Sequence, residues 1–298
     1  MPMMNFLDIK GTRLEVRQIP GSGGRAPLVF LHEGLGSVSL WTQRGLDWPQ
    51  SVCSATGRAG LVFSRRGYGQ SEPVPPGRNF LQPDYMQREA WEILPALLAR
   101  LERETAGYAK PVLLGHSDGA TIALLYASRF PVAACIAMAP HVFVEDMAVD
   151  AIIEAKATYQ RSTKPPRQGA PPSERQTAGA ALAGTKTPPS AAQRAGLRER
   201  LAMHHADVDG AFWQWNDVWL SEPFRSFDIR GECRSISAPL LLVQGLSDEY
   251  GTMHQLDEIA LAATHAKQLR LADCGHSPHR DQPHKTANAI AGFLAEVP

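Results

Sequence analysis

The sequence predicts an α/β fold, a mostly parallel sheet with helices on both faces. Three observations carry this. Short apolar runs of strand length alternate with helix-length amphipathic runs along most of the 298 residues. The pentapeptide Gly115-His116-Ser117-Asp118-Gly119 joins a strand-like run, Pro111-Val112-Leu113-Leu114, to a helix-like run that begins at Ala120. The rhythm is broken once, between Ala139 and Leu240, where helical patterns occur without a clear strand.

Taken in order, Leu14-Glu15-Val16-Arg17-Gln18-Ile19 alternates as a half-exposed edge strand does. Pro27-Leu28-Val29-Phe30-Leu31 and Gly60-Leu61-Val62-Phe63-Ser64 are short buried strands. Residues 85–105 read as a helix with Met86, Ala90, Ile93, Leu94, Leu97, Leu98 and Leu101 on one face. Pro95 inside it predicts a kink or break. Val112-Leu113-Leu114, residues 133–138 and Leu240-Leu241-Leu242-Val243 are further buried strands. Lys267-Gln268-Leu269-Arg270-Leu271 is the last strand and residues 283–295 the last helix.

The interrupting region reads as helix over 148–159 and again over 197–220, with a Pro/Ala-rich loop at about 163–196 between them. The expected organisation is a core of residues 1–140 and 236–298, with 141–235 as a helical insertion over the sheet. No internal repeat occurs.

Composition narrows the function classes. Hydrophobic content is 44%, charged content 20% and formal net charge zero, which suits a globular domain with a full core. No basic stripe is present, so nucleic acid is not an expected partner. The four cysteines, Cys53, Cys135, Cys233 and Cys274, show no metal-type pairing and no disulfide framework, which fits a reducing compartment. The start of the chain lacks a basic segment followed by an apolar one, so no signal peptide is read. The longest apolar run, 132–140, is too short to cross a membrane, and the cytoplasm is the expected location.

The chemistry centres on Ser117. A strand, a very tight turn and a helix hold the apex residue in a strained conformation with its hydroxyl clear of the backbone. The flanking glycines remove side chains that would collide where strand and helix meet. The simpler alternative is a Gly-rich turn whose serine only caps the helix. A serine hydroxyl needs a base, and the base needs a third group to fix its tautomer. In open α/β sheets such residues sit on loops beyond the C-terminal strand ends. Asp248 follows the strand Leu240-Leu241-Leu242-Val243, and His276 follows the last strand. Asp248 can alternatively cap a helix, Glu249 has the wrong offset, and Asp146 is a second position for the acid. His279 and His284 compete with His276. A second oxyanion donor is expected in His32-Glu33-Gly34-Leu35-Gly36-Ser37, where Gly34 N–H can join Asp118 N–H.

Together these residues resemble the α/β-hydrolase fold family, over about residues 14–297. The resemblance implies an α/β-hydrolase sheet with a helical cap at 141–235. It implies Ser117 as nucleophile, Asp248 as acid, His276 as base, and Gly34 and Asp118 as backbone oxyanion donors. The segment Ser64-Arg65-Arg66-Gly67-Tyr68-Gly69-Gln70-Ser71 resembles a structural loop of the family, which makes Arg66 scaffold. One departure stands out. The family usually has His-Gly where this chain has His32-Glu33. A carboxylate there is unfavourable beside an oxyanion unless it turns away, pairs, orders a water or reads a polar substrate group.

Relatives that act on epoxides or haloalkanes carry aspartate at the apex, so serine points to acyl transfer. The expected function is cofactor-independent hydrolysis of a small carboxylic ester, lactone or thioester. Hydrolysis of the carbon–carbon bond of ring-cleavage diketones, or perhydrolysis, is the alternative within the same chemistry. A non-catalytic ligand-binding protein on the same fold is the alternative of a different class. No metal spacing and no phosphate-binding loop is visible, so no cofactor is implied and the expected partner is a small-molecule substrate. Glu33, Trp41, His141, Phe143, Trp213 and Tyr250 are candidate substrate-binding residues, with Phe212, Trp215 and Trp219 as further aromatic candidates. Packing between cap and core is the competing role for each aromatic.

Overall fold

The alternation of apolar runs becomes one eight-stranded sheet in the computed structural model, which describes residues 5–163 and 196–297. The strands are β1 (Asn5–Ile9), β2 (Thr12–Ile19), β3 (Leu28–Leu31), β6 (Gly60–Phe63), β7 (Val112–His116), β8 (Ala134–Met138), β9 (Leu240–Gly245) and β10 (Lys267–Leu271). A separate two-stranded ribbon is made by β4 (Thr42–Gln43) and β5 (Leu46–Asp47). The sheet order is β1-β2-β6-β3-β7-β8-β9-β10. β1 pairs antiparallel with β2, and β2 with β6; every later pairing is parallel. The C-terminal ends of β3, β7, β8, β9 and β10 therefore lie side by side along one rim, which is where ligands bind in open parallel sheets.

Side chains alternate between the two faces as the pleat requires. On β3 and β7, Leu28, Phe30, Val112 and Leu114 enter one core cluster, while Val29, Leu31 and Leu113 enter the other. The first cluster lies under α1 (Trp48–Thr56) and α11 (Pro283–Leu294). The second lies under α2 (Tyr85–Arg88), α3 (Leu94–Glu102) and α4 (Asp118–Ala127). Each fully buried Leu, Val or Phe contributes roughly 1.5–3 kcal/mol. The cysteines are free and buried, and burial pushes the Cys53 thiol up to about 12 and that of Cys274 to about 11.

Three elements differ from the sequence expectation. β1 pairs with β2 through a two-residue turn, Lys10-Gly11, and is largely exposed; its apolar residues, Phe6, Leu7 and Ile9, do not alternate as those of a half-buried strand do. The helix expected over 85–105 is not broken at Pro95. It widens into a π turn at Glu89–Ile93 between α2 and α3, where Leu94 N–H reaches Glu89 O. This turn, just ahead of a residue with no N–H, absorbs the proline. The helix expected over 197–220 is two, α6 (Leu197–Ala202) and α7 (Val208–Trp219). Asp207 stops the run by accepting from Gly210 N, and His205 ties the junction to Gly69 N and Leu35 O.

Between β8 and β9 the described chain is helical, with α5 (Asp146–Thr163), α6, α7, a 3₁₀ turn at Glu222–Ser226 and α8 (Arg230–Cys233). Most of the loop expected at 163–196 lies outside the described residues. The remaining helices are α9 (His254–Ala262) and the short α10 (Pro278–Asp281). No helix among the described residues is long and apolar enough to cross a membrane.

Candidate active site

Ser117 stands between β7 and α4 with φ 54° and ψ −121°, a strained conformation for a residue with a side chain. Its surroundings over-determine that strain. Ser117 N–H donates to Met138 O on β8 at 2.9 Å, and its carbonyl accepts from Ala120 and Thr121 N–H. A Cβ on Gly115 would meet Gly119 O at 2.1 Å, and one on Gly119 would meet Leu31 O at 2.1 Å. Both glycines are thus demanded by the close approach of strand and helix.

His276, on the loop after β10, reaches Ser117 Oγ with Nε2 at 2.9 Å. Its Nδ1 lies 2.8 Å from Asp248 Oδ1, on the loop after β9. A carboxylate accepts, so Nδ1 carries the proton and Nε2 is free to accept from the serine hydroxyl. The Asp248 carboxylate also accepts from Tyr250 N–H at 2.9 Å and from Gln244 Nε2 at 3.1 Å. Burial pushes its pKa up, but the hydrogen bond and charge of His276 and the Tyr250 N–H outweigh burial and hold it below the usual carboxylate value. The His276 backbone is anchored too: N–H donates to Glu249 Oε2 at 3.1 Å, and the carbonyl accepts from His116 Nε2 at 2.7 Å.

The competing positions fall elsewhere. Asp146 is 96% exposed and pairs with Arg225. His279 packs against Trp41 and His116, and His284 is exposed. Glu249 holds the His276 backbone rather than its ring.

Gly34 and Asp118 both line the cavity in front of Ser117, and neither N–H donates a hydrogen bond among the described residues. The Asp118 side chain is buried on the far side. It accepts from Tyr85 Oη at 2.5 Å and faces Arg65 Nη2 at 3.7 Å, while Trp219 Nε1 donates to Tyr85 Oη at 3.1 Å. Burial raises the Asp118 pKa against the pull of Arg65 and the hydrogen bonds. Arg65 also donates to the carbonyls of His32 and Glu33 and so fixes the loop that carries Gly34. Arg65 is the buried scaffold arginine of its segment; Arg66 is half-exposed and pairs with Glu72 at 2.9 Å.

Glu33 resolves the departure noted in the sequence by pairing. Its Oε2 faces His116 Nδ1 at 3.5 Å. Burial opposes ionisation of Glu33, but His116, Arg280 and His279 together hold its pKa well below the usual value. His141, past the end of β8, lines the cavity as an imidazole whose pKa burial lowers to about 3, so it is neutral.

The cavity has a volume of about 240 Å³ and its wall is mainly apolar. α5 contributes Ile152, α6 contributes Leu201, and α7 contributes Trp215 and Trp219, so the helical insertion roofs the serine. Glu33, His141 and Tyr250 of the expected lining residues are there. Trp41, Phe143 and Trp213 are not, which corrects that expectation. Trp41 stacks on Trp48 in the core cluster under α1 and α11. Phe143 packs against His254 and Arg230. Trp213 lies under the Arg78 guanidinium and against Tyr159. Aromatic content marks buried surface, and the phase of each helix decides which aromatic faces the cavity. Trp215 faces it while Trp213, two positions earlier on α7, does not. His116 and Arg280 also line the cavity, beyond the residues the sequence points to. His116 sits inside the pentapeptide, and Arg280 lies four residues past His276.

The family model for the alpha/beta hydrolase family matches residues 28–289, and the chain belongs to that family. Solved structures agree on the fold. The enol-lactonase from Burkholderia xenovorans LB400 superposes with a TM-score of 0.66 at 19% identity, covering 98% of this chain and 100% of that one. A thermophilic esterase from Thermogutta terrifontis gives 0.66 at 16% identity over 99% and 98% of the two chains. E-2-(acetamidomethylene)succinate hydrolase gives 0.64 at 19% identity over 98% and 99%. No curated protein matches the sequence.

Proposed function

We propose that the protein is a cofactor-independent serine hydrolase that cleaves a small carboxylic ester, or a lactone or thioester, through an acyl-enzyme. The observation that carries this reading is the hydrogen-bonded run from Ser117 Oγ through His276 to Asp248, at 2.9 and 2.8 Å, opening on a roofed apolar cavity. Ser117 Oγ attacks the carbonyl carbon as its proton passes to His276 Nε2. The carbonyl oxygen becomes an oxyanion between Gly34 N–H and Asp118 N–H. Asp248 stabilises the imidazolium. His276 then gives its proton to the leaving oxygen, and the C–O bond breaks. A water, deprotonated by His276, attacks the acyl-enzyme and releases the acid and Ser117.

In this reading residues 141–235 are a cap over a core of 1–140 and 236–298, and the cavity admits a small molecule. At about 240 Å³ it is smaller than sites for drug-sized ligands. The unpaired, buried cysteines support a cytoplasmic setting. The test is steady-state hydrolysis of a panel of short esters, lactones and thioesters. Ser117→Ala is expected to lower kcat by about 10⁴-fold or more with the fold intact. Full activity in that variant would sink the assignment.

A further inference from the structure

We propose that Arg280 is a carboxylate subsite, so that the preferred substrates are esters whose acyl group ends in a carboxylate held off by a short apolar spacer. This rests on the hydrolase reading above. Arg280 lies on the short helix α10, four residues beyond His276, and lines the same cavity as Ser117. Its Nη2 donates to Ser277 Oγ. Among the described residues, no carboxylate lies within ion-pair distance of its guanidinium.

The carboxylates on the wall and behind it are answered by protein groups. Asp248 accepts from His276, Tyr250 N–H and Gln244. Asp118 accepts from Tyr85 and faces Arg65. Glu33 faces His116 Nδ1. Arg280 also acts on Glu33 at longer range, but among the described residues it is the wall charge with no ion-pair partner, and a ligand would supply one. A guanidinium offers five N–H donors in a fork that fits a carboxylate, and most of this fork is unused. An Arg–carboxylate pair can be bidentate and charge-assisted, which makes it stronger than a neutral hydrogen bond.

Glu33 is the rival reader, through an ammonium-bearing substrate. Its side chain is 19% exposed and its carboxylate is already turned to His116, whereas Arg280 is exposed. These contacts therefore favour an anionic substrate group over a cationic one. A cavity of about 240 Å³ limits the spacer to a few methylenes.

The test compares three ethyl esters of equal acyl length on the whole protein: monoethyl glutarate, ethyl valerate and ethyl 5-aminovalerate. The proposal expects kcat/KM for monoethyl glutarate to exceed that for ethyl valerate by at least about tenfold. Arg280→Gln should collapse that ratio by about tenfold or more, and Arg280→Lys should restore part of it. Equal rates for the anionic and neutral esters, preference for the cationic ester, or an unchanged ratio in Arg280→Gln would overturn it. Calorimetric binding of glutarate against valerate separates the two readings. If no ester is turned over, yet glutarate binds the wild type tighter than valerate and Arg280→Gln loses that difference, the subsite stands and the hydrolase reading fails. If glutarate gains nothing over valerate, or binds Arg280→Gln equally well, the subsite is refuted whatever the turnover.

Discussion

Replacing Asp248 by asparagine changes one atom and tests how the site holds its base. Three donors converge on the Asp248 carboxylate: His276 Nδ1–H at 2.8 Å, Tyr250 N–H at 2.9 Å and Gln244 Nε2–H at 3.1 Å. An asparagine has one oxygen to offer them. With the oxygen toward His276, its amide group faces the Gln244 amide, donor to donor. Gln244 is not free to turn, because its Nε2 also donates to Gly251 O and Thr252 O. With the amide nitrogen toward His276, the imidazole takes the other tautomer and Nε2 no longer accepts from Ser117. In the first case the loss is that of a charge beside a developing imidazolium. A charge-assisted hydrogen bond is worth up to about 3 kcal/mol. The direct Coulomb attraction at 2.8 Å sets a ceiling of about 6 kcal/mol at an effective dielectric near 20. These limits correspond to falls of roughly 10²- to 10⁴-fold in kcat, the upper end being that of the inverted tautomer. The assay is steady-state hydrolysis of p-nitrophenyl butyrate, with urea unfolding to show that the variant folds. A kcat within threefold of wild type, or a larger loss from Asp146→Asn, would refute the assignment of Asp248.

Further outcomes follow from the surroundings. Gly119→Ala places a Cβ 2.1 Å from Leu31 O, so α4 must shift against β3; we expect at least about 1–3 kcal/mol less stability by urea unfolding, together with a large loss of turnover. Tyr85→Phe removes the 2.5 Å hydrogen bond to Asp118 and the acceptor for Trp219, with an expected loss of about 1–3 kcal/mol; a change below about 0.5 kcal/mol would show that Asp118 does not depend on it. Burial lowers the His205 pKa from 6.5 to about 4. Its folded pKa is depressed, so the unfolded chain takes up the proton first as pH falls. Its contribution is complete above pH 6.5 and is lost down to about pH 4, at up to about 1.4 kcal/mol per pH unit. His205→Gln should flatten the stability slope between pH 6.5 and 4.5 by about that amount, and an unchanged slope would contradict the burial argument.

The positions of Ser117, Asp248 and His276 were legible because each follows a short apolar strand, and parallel pairing then brings the strand ends to one rim. The two glycines of the pentapeptide were legible for a steric reason, and the structure supplies the colliding atoms. What escaped depended on side-chain direction. Trp41, Phe143 and Trp213 have the right chemistry for a pocket, yet each points into other packing. Nothing in the sequence shows that Glu33 turns to His116, because that pairing joins the loop after β3 to the last residue of β7. The π turn before Pro95 was hidden for a related reason. A proline signals a lost hydrogen bond, and tertiary packing selects how the helix absorbs it.

The most direct test of the central claim is covalent labelling with an organophosphonate, with the modified residue located by peptide mass spectrometry. One adduct is expected, on Ser117, absent in Ser117→Ala and formed more slowly in Asp248→Asn. A folded wild-type protein that forms no adduct, or forms it on another residue, would contradict it.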